Sequence, residues 1–368
     1  MESMVESSKR NVNFWSGKKV FLTGHTGFKG SWLSIWLKNL GTQLVGYSLL
    51  PPTKPSLFEI AKVQDGMVSI EGNILDLQYL QKTISNHKPE ILIHMAAQSL
   101  VHRSYENPVE TYSTNVIGTV NVLEAVRQTS NIKVVINITS DKCYENKVQE
   151  AGYKEEDPPG GYDPYSSSKG CAELVTSAYR RSFFNTKDYS NHGVALASAR
   201  AGNVIGGGDW ASDRLIPDII RSIFDSKTLK IRNPNATRPW QHVLEPLSAY
   251  LLLAEKLWTE GPKYAEAWNF GPDDSDIKPV SWIVENFILK WGEKVKWVFD
   301  TDQKLHEAQL LKLDCTKAKE KLGWQPHWDI NRALEKTASW YKTLKEKKDM
   351  KEFTLSQIEE YTKSILKV

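Results

Sequence analysis

Residues 20 to 30 read Val20-Phe21-Leu22-Thr23-Gly24-His25-Thr26-Gly27-Phe28-Lys29-Gly30, a short apolar run followed by three spaced glycines. The apolar run predicts a strand, and the glycines lie where that strand would turn into a helix. Gly24 permits a tight turn, Gly27 lets backbone amides approach a pyrophosphate, and Gly30 allows the helix to pack on the sheet. Because a helix N-terminus attracts anions, the segment predicts a dinucleotide-binding turn. The alternative is that the glycines only shape a turn.

Between residues 18 and 200, β-rich apolar runs alternate with amphipathic runs of helical length. This alternation predicts parallel strands joined by crossover helices. The predicted strands are residues 19–22, 44–47, 67–70, 91–94, 134–138 and 193–199. The predicted helices are residues 27–40, 76–85, 108–129 and 164–184, with Asp76 and Asp163 as caps. The expected fold class is α/β, a doubly wound parallel sheet of the Rossmann type.

The alternation of β-rich and helical runs ends beyond residue 202, where Gly206-Gly207-Gly208 and the prolines of 233–239 interrupt it. We expect an N-terminal extension over 1–17, a dinucleotide-binding domain over 18–201 and a smaller mixed α/β substrate lobe over 202–345, with some elements interleaved. Helices are predicted at 214–224, 245–257, 280–291 and 330–341. The lysine-rich tail over 346–368 predicts a solvated terminal helix.

The composition is typical of a soluble protein. The 368 residues are 40% hydrophobic and 25% charged, with a formal net charge of +3, which is far from the basic extreme of nucleic-acid binders. Cys143, Cys171 and Cys315 have no C-x-x-C spacing, so we expect neither a disulfide framework nor a metal site. No segment resembles a signal peptide or is apolar enough for a bilayer. The sequence therefore favours a cytoplasmic protein without nucleic-acid or membrane partners.

Tyr165 and Lys169 lie four residues apart on one predicted helix and therefore share a face. A lysine ammonium there can stabilise a phenolate and lower the pKa of the tyrosine, so Tyr165 is a candidate base. Taken alone, this spacing more often reflects an exposed pair on an ordinary helix. The glycine turn upstream reverses that preference, because hydride chemistry needs both features.

Ser140, Asp141 and Lys142 directly follow the strand predicted at 134–138, at the carboxyl edge of the sheet. The serine can hydrogen-bond a substrate hydroxyl, and a carboxylic acid beside a lysine offers a general acid and a general base. The alternative interpretation of Asp141 and Lys142 is an exposed ion pair.

The end of the second predicted strand reads Gly46-Tyr47-Ser48-Leu49, which contains neither the carboxylate that selects NAD nor an arginine for a 2′-phosphate. NAD is therefore modestly favoured over NADP. Asn73-Ile74 and Ala96-Ala97-Gln98 follow the third and fourth strands, at the edge where a dinucleotide would rest.

Several motifs together resemble the extended short-chain dehydrogenase/reductases that modify nucleotide sugars. They are Thr23-Gly24-x-x-Gly27-Phe28-x-Gly30, His94-Met95-Ala96-Ala97-Gln98, Asn115-x-x-Gly118-Thr119 and Tyr165-x-x-x-Lys169. Longer stretches, at 24–32, 139–144, 201–210 and 238–242, are similar to 4,6-dehydratases within that family. The resemblance implies bound NAD, in contact with Gly24, Thr26, Gly27, Phe28, Lys29, Gly30, Asn73, Ile74, Ala96, Ala97, Gln98, Asn115, Tyr165 and Lys169.

The resemblance also implies a reaction, with CDP-glucose as the expected substrate. Tyr165, assisted by Ser140 and Lys169, would take the proton of the sugar 4-hydroxyl during oxidation by NAD, and Asp141 would protonate the departing 6-hydroxyl. The dTDP-glucose and GDP-mannose dehydratases place glutamate, the presumed C5 base, where this chain has Lys142. Lys142 is then either the C5 base or an electrostatic stabiliser of the enolate.

For the substrate, the resemblance implies contacts from Asn203 to the sugar-phosphate, from Leu215, Ile216 and Pro217 to the base, and from Arg238 to the diphosphate, with His242 lining the site. Arg214 and Arg232 are either ligand contacts or surface charges. A homodimer is expected through a four-helix bundle built from 108–129 and 164–184, with a tetramer as the larger alternative. The other interpretations are an epimerase or decarboxylase of the same family, and a non-catalytic dinucleotide-sensing scaffold.

Overall fold

A seven-stranded parallel sheet forms the centre of the protein in a computed structural model that describes residues 14–147, 151–293, 295–300 and 311–366. The strands, in chain order, are β1 Lys19–Thr23, β2 Gln43–Ser48, β3 Val68–Glu71, β4 Ile91–His94, β5 Val134–Ile138, β6 Ala195–Ala201, β7 Val204–Ile205, β8 Leu229–Ile231, β9 Thr237–Pro239, β10 Gln241–His242, β11 Ala267–Phe270, β12 Ile277–Pro279 and β13 Trp297–Phe299. The central sheet has the order β3-β2-β1-β4-β5-β6-β11. The strand order reverses between β1 and β4, which is the switch point where doubly wound sheets bind ligands.

Short strand pairs lie outside this sheet. β7 pairs with β10 and β8 with β13 in parallel, whereas β9 pairs with β12 antiparallel. All six belong to the region beyond residue 202, which is therefore mixed α/β in the part that the structure describes.

The helices confirm the predicted crossover pattern. They are Phe28–Asn39, Leu57–Ile60, Leu77–His87, Val101–Glu106, Pro108–Tyr112, Gly118–Arg127, Pro164–Ser182, Tyr189–His192, Leu215–Phe224, Leu244–Glu260, Val280–Trp291, Ile330–Lys345 and Met350–Ile365. A π-helical segment, Ser113–Ile117, joins the helices on either side of it into one continuous rod over the region predicted as a single helix. The predicted α/β class and the predicted strands are confirmed, with strand ends shifted by at most two residues.

Both predicted helix caps are confirmed. Asp76 accepts a hydrogen bond from the amide of Tyr79 at 3.0 Å. Asp163 accepts from both the amide and the hydroxyl of Ser166, at 2.9 and 2.6 Å. Pro164 follows at the first helical position, where its missing N–H costs nothing. The start of the helix that contains Tyr165 and Lys169 is therefore rigidly defined.

The sheet is buried on both faces because neighbouring residues of each strand point in opposite directions. In β1, Val20 and Leu22 pack into the larger hydrophobic core, whereas Phe21 packs into a second core on the other face. The larger core includes the helices Phe28–Asn39 and Leu244–Glu260, and the second includes Gly118–Arg127. The result is three layers, with helices above and below the sheet.

The chain crosses back into the main sheet after residue 202. β11 pairs with β6 at the edge of the sheet, with Trp268 opposite Ala199. At the other end of the chain, Trp15 is buried and its indole N–H donates to Glu255 at 2.7 Å. Residues 1–13 of the predicted N-terminal extension lie outside the described residues.

The prediction of a solvated C-terminal helix is wrong. The helix Met350–Ile365 buries Met350, Ile358 and Tyr361. The Tyr361 hydroxyl donates to Glu245 at 2.7 Å, and its ring packs edge-on against Trp36 at 5.8 Å. The many lysines of this tail obscure an apolar stripe at helical spacing, which is what the helix presents to the core.

Candidate active site

The candidate active site is a cleft with a volume of 830 Å³ at the carboxyl edge of the central sheet. The five predicted catalytic residues all line it, namely Ser140, Asp141, Lys142, Tyr165 and Lys169. Its wall continues into the region beyond residue 202, including the helix Leu215–Phe224. The cleft lies at the carboxyl ends of β1 and β4, where the strand order reverses, as expected for a doubly wound sheet.

The glycine turn leaves an open helix N-terminus at one end of the cleft. Gly24 has φ +76°, and a Cβ there would fall 2.7 Å from the amide nitrogen of Ala96. A Cβ on Gly30 would lie 2.8 Å from the Cα of His25. Gly27 caps the helix Phe28–Asn39 without any side-chain hydrogen bond, so its first amides stay available to a ligand. This cradle fits the pyrophosphate of a dinucleotide.

The strand ends around this turn are joined through Thr23. Its hydroxyl accepts hydrogen bonds from the amides of Met95 and Ala96, at 3.1 and 3.2 Å, and lies 2.7 Å from His94 Nδ1. Burial lowers the pKa of His94 to about 3, and the charge of Lys169 acts in the same direction. His94 is therefore a neutral support of the cleft wall.

Asn115 and Asn73, both predicted to contact the cofactor, are not among the residues that line the cleft: Asn115 is buried, whereas Asn73 is exposed. The side chain of Asn115 is buried and bonds the amide and carbonyl of Gln98, and it donates to the Ser168 hydroxyl at 2.8 Å. Asn73 caps its own turn by accepting from the amide of Leu75 at 2.9 Å. Their neighbours Ile74, Ala96, Ala97 and Gln98 do line the cleft.

Ser140, Asp141 and Tyr165 form the centre of the site. The Ser140 hydroxyl donates to Asp141 Oδ1 at 2.9 Å, and a hydrogen bond joins Ser140 with the Tyr165 phenol. The second carboxylate oxygen, Asp141 Oδ2, is buried and has no hydrogen-bond partner among the described residues. A Cβ on Gly202 would fall 2.8 Å from this oxygen, so only a glycine fits at this position against the carboxylate.

Lys142 is the more accessible member of the acid and base pair. Its Nζ lies 3.9 Å from Asp141 Oδ1, and its side chain is 24% exposed against 2% for Asp141. The carboxylate therefore lies deep in the cleft and the lysine nearer its mouth. This arrangement excludes the alternative of an exposed ion pair for Asp141.

The predicted lowering of the Tyr165 pKa is wrong. Burial raises the pKa of Tyr165 to about 12, and the hydrogen bond with Ser140 only partly opposes that effect. The Lys169 ammonium donates to the carbonyl of Ile138 at 3.3 Å. Burial also lowers the pKa of Lys169 to about 8, against the opposing charge of Glu173.

Lys29 is a further basic group in the cleft. It lies half-buried and donates to the Tyr250 hydroxyl at 2.9 Å. Burial lowers the pKa of Lys29 to about 7, and repulsion from Lys169 and Arg214 acts in the same direction. Lys29, Lys169 and Arg214 are therefore close enough in the cleft to interact electrostatically.

The predicted substrate residues fall into two groups. Five of them line the cleft, namely Asn203, Leu215, Ile216, Pro217 and Arg238. His242 does not, because it is fully buried between the rings of Trp32 and Trp328, at centroid distances of 5.8 and 5.1 Å. Its assignment as a substrate contact is corrected, since the ring belongs to the hydrophobic core.

Arg214 and Arg232 also line the cleft. Arg214 links two parts of the wall, since it pairs with Asp209 at 3.0 Å and donates to the Ser99 hydroxyl at 2.9 Å. Arg232 pairs with Asp213 at 3.2 Å. Arg214 is near enough to Tyr165 and Lys29 to act on both electrostatically.

Sequence reasoning missed a buried carboxylate below the site. Glu173 lies one helical turn beyond Lys169 and pairs with Arg200 at 2.8 Å, and both side chains are more than nine-tenths buried. The signal was present, because Tyr165, Lys169 and Glu173 repeat at intervals of four along one helix face. The sequence did not show the partner, which comes from β6.

The residues that the structure describes contain no group of three His, Cys, Asp or Glu side chains arranged to hold a metal ion. Within the same ranges, no helix combines the length and apolar character needed to cross a bilayer.

The fold and site define an extended short-chain dehydrogenase/reductase. The chain matches the family model described as GDP-mannose 4,6 dehydratase over residues 21–337, and it belongs to that family. It is 56% identical over 349 residues to a CDP-glucose 4,6-dehydratase of Salmonella typhimurium, covering 95% of this chain and 97% of the relative. A dTDP-glucose 4,6-dehydratase of Haemophilus influenzae is 24% identical, over 88% of this chain and 97% of the relative. These matches confirm the predicted resemblance.

Solved structures share the fold. A dTDP-glucose 4,6-dehydratase from Bacillus anthracis in complex with NAD superposes with a TM-score of 0.74 at 23% identity, covering 90% of this chain and 98% of the other. A UDP-glucose 4-epimerase from Thermotoga maritima with UDP-glucose has the same TM-score at 22% identity, over 88% and 99%.

Proposed function

We propose that this protein is a CDP-glucose 4,6-dehydratase that converts CDP-D-glucose to CDP-4-dehydro-6-deoxy-D-glucose and water with bound NAD. The observation that carries the proposal is the buried Oδ2 of Asp141, which has no hydrogen-bond partner among the described residues and lies on the carboxylate beside Ser140 and Tyr165. Departure of the 6-hydroxyl needs a general acid, whereas an epimerase that inverts C4 through a ketone breaks no C–O bond and does not. The 56% identity to a named CDP-glucose 4,6-dehydratase supports the choice of reaction and of base.

The residues around the glycine turn fit NAD. When bound, NAD supplies the acceptor and later the donor of hydride for oxidation at C4 and reduction at C6. Gly24, Thr26, Gly27, Phe28, Lys29 and Gly30 would hold the pyrophosphate end, with Ile74, Ala96, Ala97 and Gln98 along the wall. Among the described residues that line the end of β2, from Ser48 to Thr53, there is no arginine or lysine, which favours NAD over NADP.

Tyr165 is the base for the sugar 4-hydroxyl. Ser140 holds that hydroxyl and Tyr165 takes its proton, while the Lys169 ammonium stabilises the phenolate that Tyr165 must become first. Since burial holds the pKa of Tyr165 at about 12, the phenolate needs cationic partners. Arg214 already acts on Tyr165 electrostatically, and Lys169 shares its helix face.

Asp141 and Lys142 carry out the elimination. The ketone at C4 acidifies the C5 hydrogen, and Lys142 removes that proton or stabilises the enolate left by its removal. Asp141 gives a proton to the 6-hydroxyl as the C6–O bond breaks and water departs. The burial of Asp141 keeps bulk water from competing for this proton, whereas the more exposed Lys142 can exchange with solvent.

The opposite wall of the cleft would hold the nucleotide. Arg238 and Arg214 are guanidinium groups suited to the diphosphate, and Asn203 lies on the same wall. Leu215, Ile216 and Pro217 form the start of the helix Leu215–Phe224 and would pack on the base.

We propose a homodimer that forms through an exposed face made by two neighbouring helical segments. Pro108–Arg127 and Pro164–Ser182 pack side by side, and they expose Val109 by 78%, Ile117 by 52% and Leu174 by 55%. Four such helices from two copies would form a bundle that covers these side chains. A cytoplasmic location is proposed because Cys143, Cys171 and Cys315 are all free thiols.

The test is to incubate the purified protein with NAD and, separately, with CDP-, dTDP-, UDP- and GDP-linked hexoses in deuterium oxide, following products by mass spectrometry and NMR. We expect CDP-glucose alone to lose water and to gain solvent deuterium at C5. Recovery of unchanged sugars, or of a C4 epimer without water loss, would overturn the proposal.

A further inference from the structure

The Glu173 carboxylate joins three separate elements of the fold below the candidate active site. It lies on the helix Pro164–Ser182 and accepts hydrogen bonds from the Thr139 hydroxyl at 2.5 Å, the Ser198 hydroxyl at 2.7 Å and Arg200 Nη2 at 2.8 Å. Thr139 directly follows β5, and the other two donors lie on β6. Both oxygens of a buried carboxylate are therefore satisfied.

Two of these elements carry all the candidate catalytic groups. The helix supplies Tyr165 and Lys169, and Thr139 is the residue immediately before Ser140 and Asp141. The phenol of Tyr165 and the hydroxyl of Ser140 meet across the junction of these two segments. Glu173, two helical turns beyond Tyr165, is the point at which the same two segments are fixed together. A displacement there would separate the phenol from the serine.

Glu173 also faces Lys169. Residues four apart on a helix are neighbours, so the carboxylate lies next to the lysine along the helix face. Arg200 is held in turn by the Tyr144 hydroxyl at 2.6 Å and the carbonyl of Glu155 at 3.1 Å. The arrangement balances one buried negative charge between two buried cations, Lys169 above it and Arg200 beside it.

We propose that Glu173 is a positioning residue that fixes the Tyr165–Lys169 helix against the Ser140–Asp141 strand end and supplies the negative charge that keeps Lys169 an ammonium ion. The inference rests on the proposed function for its kinetic consequence. Its structural part, the coupling between Glu173 and Lys169, is independent of any substrate.

Other charged and titratable groups also act on this pair. The thiol of Cys143 and the imidazole of His94 lie close enough to Lys169 to interact with it electrostatically, as does Lys29 from the glycine turn. Arg180, on the same helix, and Arg200 act on Glu173. Of the groups near Lys169, Glu173 has the largest effect in favour of its charged form.

The first experiment is a titration of Lys169 by NMR in protein labelled with carbon-13 at the lysine ε-carbon, assigned with a Lys169→Arg variant. We expect Glu173→Gln to lower the Lys169 pKa by about one unit relative to wild type. The high-pH limb of the kcat/KM profile should move to lower pH by the same amount, because Lys169 then loses its proton earlier. An unchanged Lys169 titration in the variant would overturn the proposal.

Removing one partner of a buried ion pair can prevent folding, so a double variant accompanies the single one. Glu173→Gln with Arg200→Met removes both members of the ion pair, so Arg200 is not left as an unpaired charge, and the Lys169 titration should still shift downwards. If the titration in the double variant matches wild type, Glu173 has only a structural role and the proposal fails.

Two further variants separate the effect of the Glu173 charge from the effect of its hydrogen bond with Thr139. Thr139→Val keeps the carboxylate but removes its bond to the strand end, so it should lower kcat without moving the Lys169 titration. Glu173→Asp keeps the charge, so it should restore the titration and recover part of kcat relative to Glu173→Gln. Wild-type protein that fails to dehydrate any nucleotide sugar would refute the proposed function, yet the lysine titration would still decide this inference.

Discussion

Ser140 and Asp141 are joined by a 2.9 Å hydrogen bond that occupies one oxygen of the carboxylate and leaves the other buried, with no hydrogen-bond partner among the described residues. The occupied oxygen fixes the orientation of the acid, and the unpartnered oxygen is the one left for a substrate hydroxyl. Gly202 packs closely against this oxygen, since a Cβ there would fall 2.8 Å from Asp141 Oδ2. Ser140 therefore contributes to both the oxidation and the elimination, because it contacts the Tyr165 phenol and orients the Asp141 carboxyl group.

Asp141→Asn should abolish water loss while leaving the fold intact. The amide is nearly isosteric and can still accept from Ser140, but it cannot donate a proton to a leaving hydroxyl. We expect kcat for dehydration to fall by a factor on the order of 10² to 10⁴, measured as product formation from CDP-glucose. A circular dichroism melt that matches wild type is the control. Dehydration within tenfold of wild type would show that another group is the acid.

Lys142→Ala should allow oxidation to the 4-ketone but slow the elimination that follows. Oxidation at C4 depends on Tyr165 and should proceed, so the absorbance of reduced nicotinamide should appear on addition of substrate. Proton removal at C5 should slow by about 10² or more, so the reduced cofactor should accumulate. Unimpaired turnover by the variant would refute both proposed roles of Lys142.

Tyr165 should titrate far above ordinary tyrosines in the protein without cofactor. Burial raises its pKa to about 12 from an ordinary value of 10, so the folded state holds the proton more tightly than the unfolded chain. The associated stability is present below pH 10 and is lost as pH rises towards 12. The ultraviolet difference spectrum between wild type and Tyr165→Phe isolates this phenol. A midpoint near or below 10 would contradict the expectation.

His242 should make the fold sensitive to mild acid. Burial lowers its pKa to about 3 from 6.5, so the unfolded chain takes up the proton first as pH falls. Wild-type stability from this group is present above pH 6.5 and is lost below it, by about 1.4 kcal/mol for each pH unit. The difference in free energy of unfolding between wild type and His242→Phe, from urea titrations between pH 7 and 5, measures it. Parallel curves would show that His242 does not titrate as expected.

The sequence predicted those features that depend on local pattern. Apolar periodicity located the strands, and the glycine turn and the Tyr165-x-x-x-Lys169 spacing located the site, because each is a property of neighbouring residues. The direction of the Tyr165 pKa shift was missed because burial depends on how the second half of the chain packs over the cleft. His242 was misplaced because its neighbours Trp32 and Trp328 are remote in the sequence. Glu173 was overlooked for the same reason, since its partner Arg200 lies 27 residues further on.

The exposed face of the helix Pro164–Ser182 can be tested as a dimer interface. Leu174 is 55% exposed on the helix Pro164–Ser182, and a charge there would have to be buried if two copies pack through this face. Leu174→Glu should therefore convert a dimer to a monomer, as measured by light scattering during size-exclusion chromatography. Leu289→Glu is the matched control, because Leu289 is 76% exposed on a different helix, Val280–Trp291, and should leave the mass unchanged. If Leu174→Glu remains a dimer while Leu289→Glu dissociates, the interface lies on the smaller lobe instead.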